Sequence, residues 1–231
     1  MSSYLFVVAH PDDEILGAGG TIIKLVESGH KVSICFMSGS VEARAGRPSL
    51  NRLESNIEKM KSYMGIDIII KGDFENISFN TSSHLKLVQF IEKAILETKS
   101  DIIFTHHPCD LNNDHYHTSI ACQAASKLSQ RRNDVTQLKE LLFMEVLSAT
   151  DWGLNPSVKQ FTPNLFIEIE EKRLIKKIKA LDIYDGVMRD YPHPRSEESI
   201  RGLATYRGSQ SGSIYAEAFE SVYRKSDASE I

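Results

Sequence analysis

Five short apolar runs punctuate the first 146 residues: Tyr4–Ala9, Lys31–Met37, Asp67–Ile70, Asp101–Thr105 and Glu140–Val146. The first has the unbroken apolar character of a strand buried on both faces. Helical stretches lie between them. Gly17–Glu27 closes on Gly29, Leu50–Met64 ends at Gly65, Ser82 or Ser83 is placed to cap a helix reaching Thr98, and His115–Leu128 follows the fourth run. Strand and helix therefore alternate, with crossovers long enough for parallel pairing. The pattern predicts an α/β fold whose mostly parallel sheet carries helices on both faces.

After Trp152 the pattern changes. Leu165–Glu168 reads as one more strand, Glu171–Tyr184 as a helix, and Glu197–Tyr206 and Ala216–Arg224 as short helices. The expected organisation is a single domain over 1–231, with a sheet core over 1–150, a C-terminal α-rich cap over 151–225 and a polar tail over 226–231. A chain of 231 residues can bury one substantial core. Its formal charge of −4 gives no basic footprint for nucleic acid or an anionic membrane. Cys35, Cys109 and Cys122 are odd in number and form no CxxC pair, which favours a reducing compartment over a disulfide framework or a cysteine zinc cluster. No apolar segment has the length of a membrane span, and no basic region precedes the first run. A cytoplasmic protein is expected.

The first strand empties into His10-Pro11-Asp12-Asp13-Glu14. In open α/β sheets ligands sit beyond the carboxyl ends of strands. His10 stands at such an end, and Asp13 can reach the same point across the stiff Pro11 turn. Two readings stay open on these residues alone: a divalent-metal site, or a capping turn in which Asp12 or Asp13 starts the next helix. Gly17-Ala18-Gly19-Gly20 fits a dinucleotide-binding turn poorly, because the glycines come too late after the strand, and close helix packing or a tight turn accounts for them better.

A second cluster, THHPCDLNNDHYHTS, follows the fourth strand. If that strand neighbours the first, His10, Asp13 and one of these histidines converge. His115, at the start of a helix, is the preferred third ligand, and Asp114 beside it can fix an imidazole by hydrogen bonding. Three protein ligands and an open position are the pattern of a catalytic zinc, which acidifies bound water and polarises a carbonyl oxygen. His106, His107 and His117 suit supporting or solvated roles. Trp152 suits a pocket wall or the core.

His10-Pro11-Asp12-Asp13-Glu14 behind an apolar strand, together with Asp110-Leu111-Asn112-x-Asp114-His115, resembles the PIG-L/LmbE-like zinc-dependent de-N-acetylase family. Arg52-Leu53-Glu54, Pro192-His193-Pro194-Arg195-Ser196, Arg207-Gly208 and Ala216-Glu217-Ala218-Phe219 extend the resemblance over most of the chain. It implies a Rossmann-like fold and hydrolysis of an N-acetyl group from an amino sugar to give a free amine and acetate. It also implies metal binding by His10, Asp13 and His115, with zinc as the default and iron(II) or cobalt compatible with the same ligands. Asp12 becomes the general base, Asp114 a group that orients or tunes the catalytic residues, and Arg52 a residue that binds substrate or helps polarise the acetyl carbonyl. Many members carry a histidine where this chain has Asn112. The asparagine can donate a hydrogen bond to an oxyanion but cannot act as an imidazolium acid, so Asp12 after the first step or His193 must protonate the leaving amine. Arg195, Arg201 and Arg207 are either surface cations or the lining of a pocket for a substrate phosphate or carboxylate. The expected partner is a small N-acetylated sugar, and family members often form homo-oligomers. The rival readings are a metal hydrolase acting on another amide or an ester, and a non-catalytic α/β module that binds a sugar or nucleotide.

Overall fold

β1 (Ser3–Val8) pairs in parallel with β2 (Lys31–Phe36) on one side and β4 (Ile102–His106) on the other. This is a computed structural model, and it describes residues 1–39, 49–155 and 157–226. Most of the loop after β2 and all but the first residue of the 226–231 tail lie outside the described residues. With β3 (Ile68–Lys71), β5 (Glu140–Met144), β6 (Leu165–Glu168) and β7 (Ala216–Arg224), the sheet order is β3-β2-β1-β4-β5-β7-β6. The first five strands run parallel, and β7 lies antiparallel to both β5 and β6.

Successive β1 side chains enter two different cores. Phe6 and Val8 pack with α1 (Asp13–Glu27), α2 (Leu50–Met64), α6 (Glu170–Asp182) and α7 (Glu197–Ser211). Leu5, Val7 and Ala9 pack with α3 (His84–Thr98), α4 (Asn113–Ala125) and the one-turn α5 (Leu128–Arg131). Two apolar faces explain the unbroken apolar run. The chain leaves β1 towards β2 and later returns to place β4 on the opposite side. The ends of β1 and β4 therefore flank the topological switch point, where such sheets bind ligands.

α1 is broken at Ala18 (φ −146°, ψ 18°), and a buried ion pair fills the break. The Leu16 carbonyl and the Gly20 N–H would bond to each other in an unbroken helix. Instead the Leu16 carbonyl accepts from Lys177 Nζ (2.9 Å), while the N–H groups of Gly20 (2.9 Å) and Thr21 (2.7 Å) donate to the Glu217 carboxylate. Lys177 and Glu217 close the circuit at 2.7 Å. The glycines serve packing: a Cβ on Gly17 would stand 2.6 Å from Met144 Sδ, and one on Gly20 would stand 2.8 Å from Ile169 Cδ1.

Three expectations need correction. Ala216–Arg224 is a strand, not a helix. Its Ala-Glu opening favours helix, but pairing on both sides and burial of both faces decide the outcome. α1 begins at Asp13 rather than Gly17, because Asp12 already accepts from the N–H groups of Ile15 and Leu16. Pro192 and Pro194 flank His193 and predict a stiff extended segment that presents it into a pocket, which the structure does not form. The segment closes on itself through His193 N–H to the Asp190 carbonyl (3.1 Å) and Ser196 N–H to the His193 carbonyl (2.9 Å). The three cysteines are free and buried, and no helix of the described residues is long and apolar enough to cross a membrane.

Truncating Glu217 strands the Lys177 charge and two helix N–H groups. Glu217→Ala is expected to lower unfolding free energy by about 3–5 kcal/mol in urea titrations. A loss below about 1 kcal/mol would show that the break in α1 does not need the carboxylate.

Candidate metal centre and active site

β1 delivers His10 to the crevice, and the turn after it places Asp13 at the first residue of α1. β4 ends at His106, and the following loop leads to α4, whose first turn points His115 back to the strand ends. Asn112 starts that helix, its side-chain oxygen accepting from the Asp114 N–H at 2.9 Å.

Asp13 is the hub. Its Oδ2 lies 3.3 Å from His10 Nδ1 and 3.2 Å from His115 Nε2. A carboxylate holds the far nitrogen of each imidazole: His10 Nε2 meets Asp114 Oδ2 at 3.0 Å, and His115 Nδ1 meets Asp110 Oδ2 at 3.0 Å. Those carboxylates are themselves fixed. Asp114 accepts from the N–H groups of Ile77 and Phe79, and Asp110 from the Asn112 N–H and the Thr150 hydroxyl. This is how proteins lock metal-binding histidines in orientation and tautomer.

Ligand atoms of His10, Asp13 and His115 all lie within 4.8 Å of one another. Asp13 Oδ1 is buried and has no hydrogen-bond partner among the described residues. Two imidazole nitrogens, a carboxylate and an unsatisfied buried acceptor fit a divalent transition metal. His106, Asp110 and His115 form a second such set. There, however, His106 Nε2 already accepts from the Ala9 N–H (2.9 Å), and Asp110 is engaged by three donors. His106 stacks on His115 with ring centroids 3.9 Å apart, which fits a supporting role.

The electrostatics follow from burial and these pairings. Burial presses His115 down, but Asp13 and Asp110 outweigh it and push the imidazole up to about 10. His10 is also raised, its bonds to Asp114 and Asp13 overcoming burial. His106 falls to about 3, from burial first and then the charge of His115. Asp13 is held well below the usual carboxylate range, because its histidine neighbours overcome burial.

Asp12 is buried beside this cluster with φ 119°, a conformation that disfavours any residue with a Cβ. Contacts to its backbone and to its carboxylate hold it there. Its N–H donates to Glu14 Oε2 (3.0 Å), and Arg195 Nη1 donates to its Oδ2 (2.8 Å). Tyr184 OH in turn donates to Glu14 Oε1 (2.8 Å), and burial raises Glu14 to about 8.

The structure thus brings together His10, Asp12, Asp13, Asn112, Asp114, His115 and Arg195. It does not bring Arg52, Arg207 or His193 into hydrogen-bond contact with them among the described residues, apart from the bond between neighbours on one loop in which His193 Nδ1 accepts from the Arg195 N–H. Arg52 makes a two-pronged pair with Asp185 on the surface. Arg207 makes one with Glu145 and lies over the rings of Phe161 and Tyr206. His193 is exposed. Asp110 stands in the sequence motif but is given no role there, and Tyr184 is not singled out. A role for Asp110 was readable from its place, an acid five residues before a candidate ligand in the same loop, whereas nothing local marks Tyr184.

Known proteins share this arrangement of chain. The family model described as PIG-L, GlcNAc-PI de-N-acetylase, matches residues 5–126. The diacetylchitobiose deacetylase of Thermococcus kodakarensis is 25% identical over 94% of this chain and 82% of its own. Solved structures share the fold over nearly the whole chain. The conserved protein TT1542 from Thermus thermophilus superposes with a TM-score of 0.79 at 20% identity, covering 99% of this chain and 98% of that one. The 4-carboxy-2-hydroxymuconate hydratase GalB of Pseudomonas putida gives 0.76 at 18% identity, covering 98% of each.

A histidine ligates a metal only as a neutral imidazole, so a cation entering this site displaces the His115 proton. With that proton held up to about 10, zinc affinity should rise about tenfold per pH unit between pH 7 and 9, with proton release visible by calorimetry in buffers of different ionisation enthalpy. A pH-independent affinity would place the metal elsewhere.

Proposed function

The chain belongs to the PIG-L de-N-acetylase family, and from that premise we propose that it is a metal-dependent hydrolase that removes the acetyl group from an N-acetylated amino sugar. The observation that carries the reading is the buried Asp13 carboxylate, with one oxygen unpartnered among the described residues and the other facing His10 and His115, directly beside a second buried carboxylate on Asp12. His10, Asp13 and His115 would hold the ion, zinc by default. A divalent transition metal there supplies a water acidified towards neutrality and a Lewis acid for the acetamide oxygen.

The remaining chemistry belongs to the chain's own side chains. Asp12 takes the proton of the attacking water as the new C–O bond forms. The Asn112 amide nitrogen has no partner among the described residues, and it donates to the developing oxyanion. Asp12 returns its proton to the nitrogen as the C–N bond breaks, leaving acetate and a free amine. This route needs no contribution from the exposed His193. Asp114 and Asp110 keep the two imidazoles facing Asp13 throughout. Arg52 and Arg207, each neutralised by a carboxylate of its own, are structural in this reading rather than a pocket for a substrate anion.

The fold alone does not choose the reaction, since a hydratase shares it. Acetate release does. The metal-loaded protein is expected to release acetate from N,N′-diacetylchitobiose or a related N-acetylglucosamine derivative. Asp12→Asn should retain about one metal per chain and lose roughly 10²–10⁴-fold in kcat. Near-normal turnover in that variant would remove Asp12 from the mechanism. A metal-loaded protein without acetate release would leave the metal site and overturn the substrate class.

A further inference from the structure

Arg195 reaches into the site from the far end of the chain. Its Nη1 donates to Asp12 Oδ2 at 2.8 Å, and its Nε approaches Ser148 Oγ at 3.4 Å. Its side chain is 19% exposed, although Tyr191 and His193 on the same loop are exposed. The loop is braced to hold it: the Arg189 N–H donates to the Arg195 carbonyl (3.2 Å), and Ser196 caps α7 by accepting from the Ser199 N–H (3.2 Å). At the other end of the contact, Asp12 has a positive φ and its N–H is tied to Glu14. A carboxylate on strained backbone keeps one orientation only while the surroundings over-determine it. Glu14 fixes the backbone, and the guanidinium fixes the carboxylate.

We propose that Arg195 is a positioning residue that locks the Asp12 carboxylate in its base orientation, bridging the end of β1, the loop after β5 and the loop before α7. The assignment rests on the deacetylase reading, in which Asp12 is the base. It separates Arg195 from Arg52 and Arg207, whose carboxylate partners lie outside the cluster. A planar guanidinium can address Asp12 through one nitrogen and Ser148 through another, which an ammonium at the same place cannot do.

The test compares metal-loaded wild type, Arg195→Ala, Arg195→Lys and Asp12→Asn by metal content, steady-state acetate release and crystal structure. Misplacing a reacting group by about 1 Å costs on the order of 10²-fold. Arg195→Ala is therefore expected to lose about 10²-fold in kcat with little change in KM and with its metal intact, and its Asp12 carboxylate to leave the wild-type position. Millimolar guanidinium should restore part of the rate to Arg195→Ala but none to Asp12→Asn, and Arg195→Lys should fall between wild type and the alanine variant. Unchanged kcat, a loss confined to KM, or an Asp12 carboxylate that stays in place in Arg195→Ala overturns the assignment. If wild type releases no acetate, the deacetylase reading fails, and the crystal structures decide positioning alone: a displaced carboxylate sustains it and an unmoved one overturns it.

Discussion

Asp13 sets a buried carboxylate between the ends of β1 and β4, with Oδ2 facing two imidazoles and Oδ1 facing no donor among the described residues. A buried charge in that state is costly without a counter-charge. His115 supplies one, since Asp13 and Asp110 overcome its burial and push the imidazole up to about 10. A divalent cation can take over that role while leaving the imidazoles neutral. The surrounding contacts serve one end, which is to keep His10 and His115 turned towards Asp13. Asp114 and Asp110 grip their far nitrogens, His106 stacks on one ring, and the N–H groups of Ile77 and Phe79 hold Asp114 in turn.

The last third of the chain is part of this site rather than an accessory to it. β7 and α6 place Glu217 and Lys177 in the break of α1, substituting an ion pair for one helical hydrogen bond. Tyr184, just beyond α6, holds Glu14, and Arg195, just before α7, holds Asp12. Residues more than 160 positions apart in sequence therefore fix the short segment from Asp12 to Gly20. Local sequence alone could not hold Asp12 at a positive φ or keep a helix broken beside four small residues.

Much of the fold was legible in the sequence, because parallel strands buried on both faces read as unbroken apolar runs. The helix ends at Gly29 and Gly65 were equally clear, since both glycines take positive φ. β7 was not. Its Ala-Glu-Ala opening carries helix propensity, and only the strands on either side make it extended. The candidate ligands were visible because two polar clusters each followed a strand, and the β1–β4 pairing that joins them was the required condition. The partners of the cations were invisible. Arg52, Arg195 and Arg207 look alike in sequence, but their carboxylates are Asp185, Asp12 and Glu145, chosen by tertiary packing. His193 looked presented by its flanking prolines, yet the loop turns Arg195 inward and leaves the histidine outside.

X-ray absorption at the metal edge of the zinc-loaded protein, repeated on His115→Ala, tests the central claim most directly. Two imidazoles and a carboxylate predict a first shell of light atoms at about 2.0–2.1 Å with two imidazole scattering patterns, falling to one imidazole or to no bound metal in the variant. A shell without imidazole, or a spectrum unchanged by His115→Ala, would mean that the buried cluster around Asp13 is not a metal site.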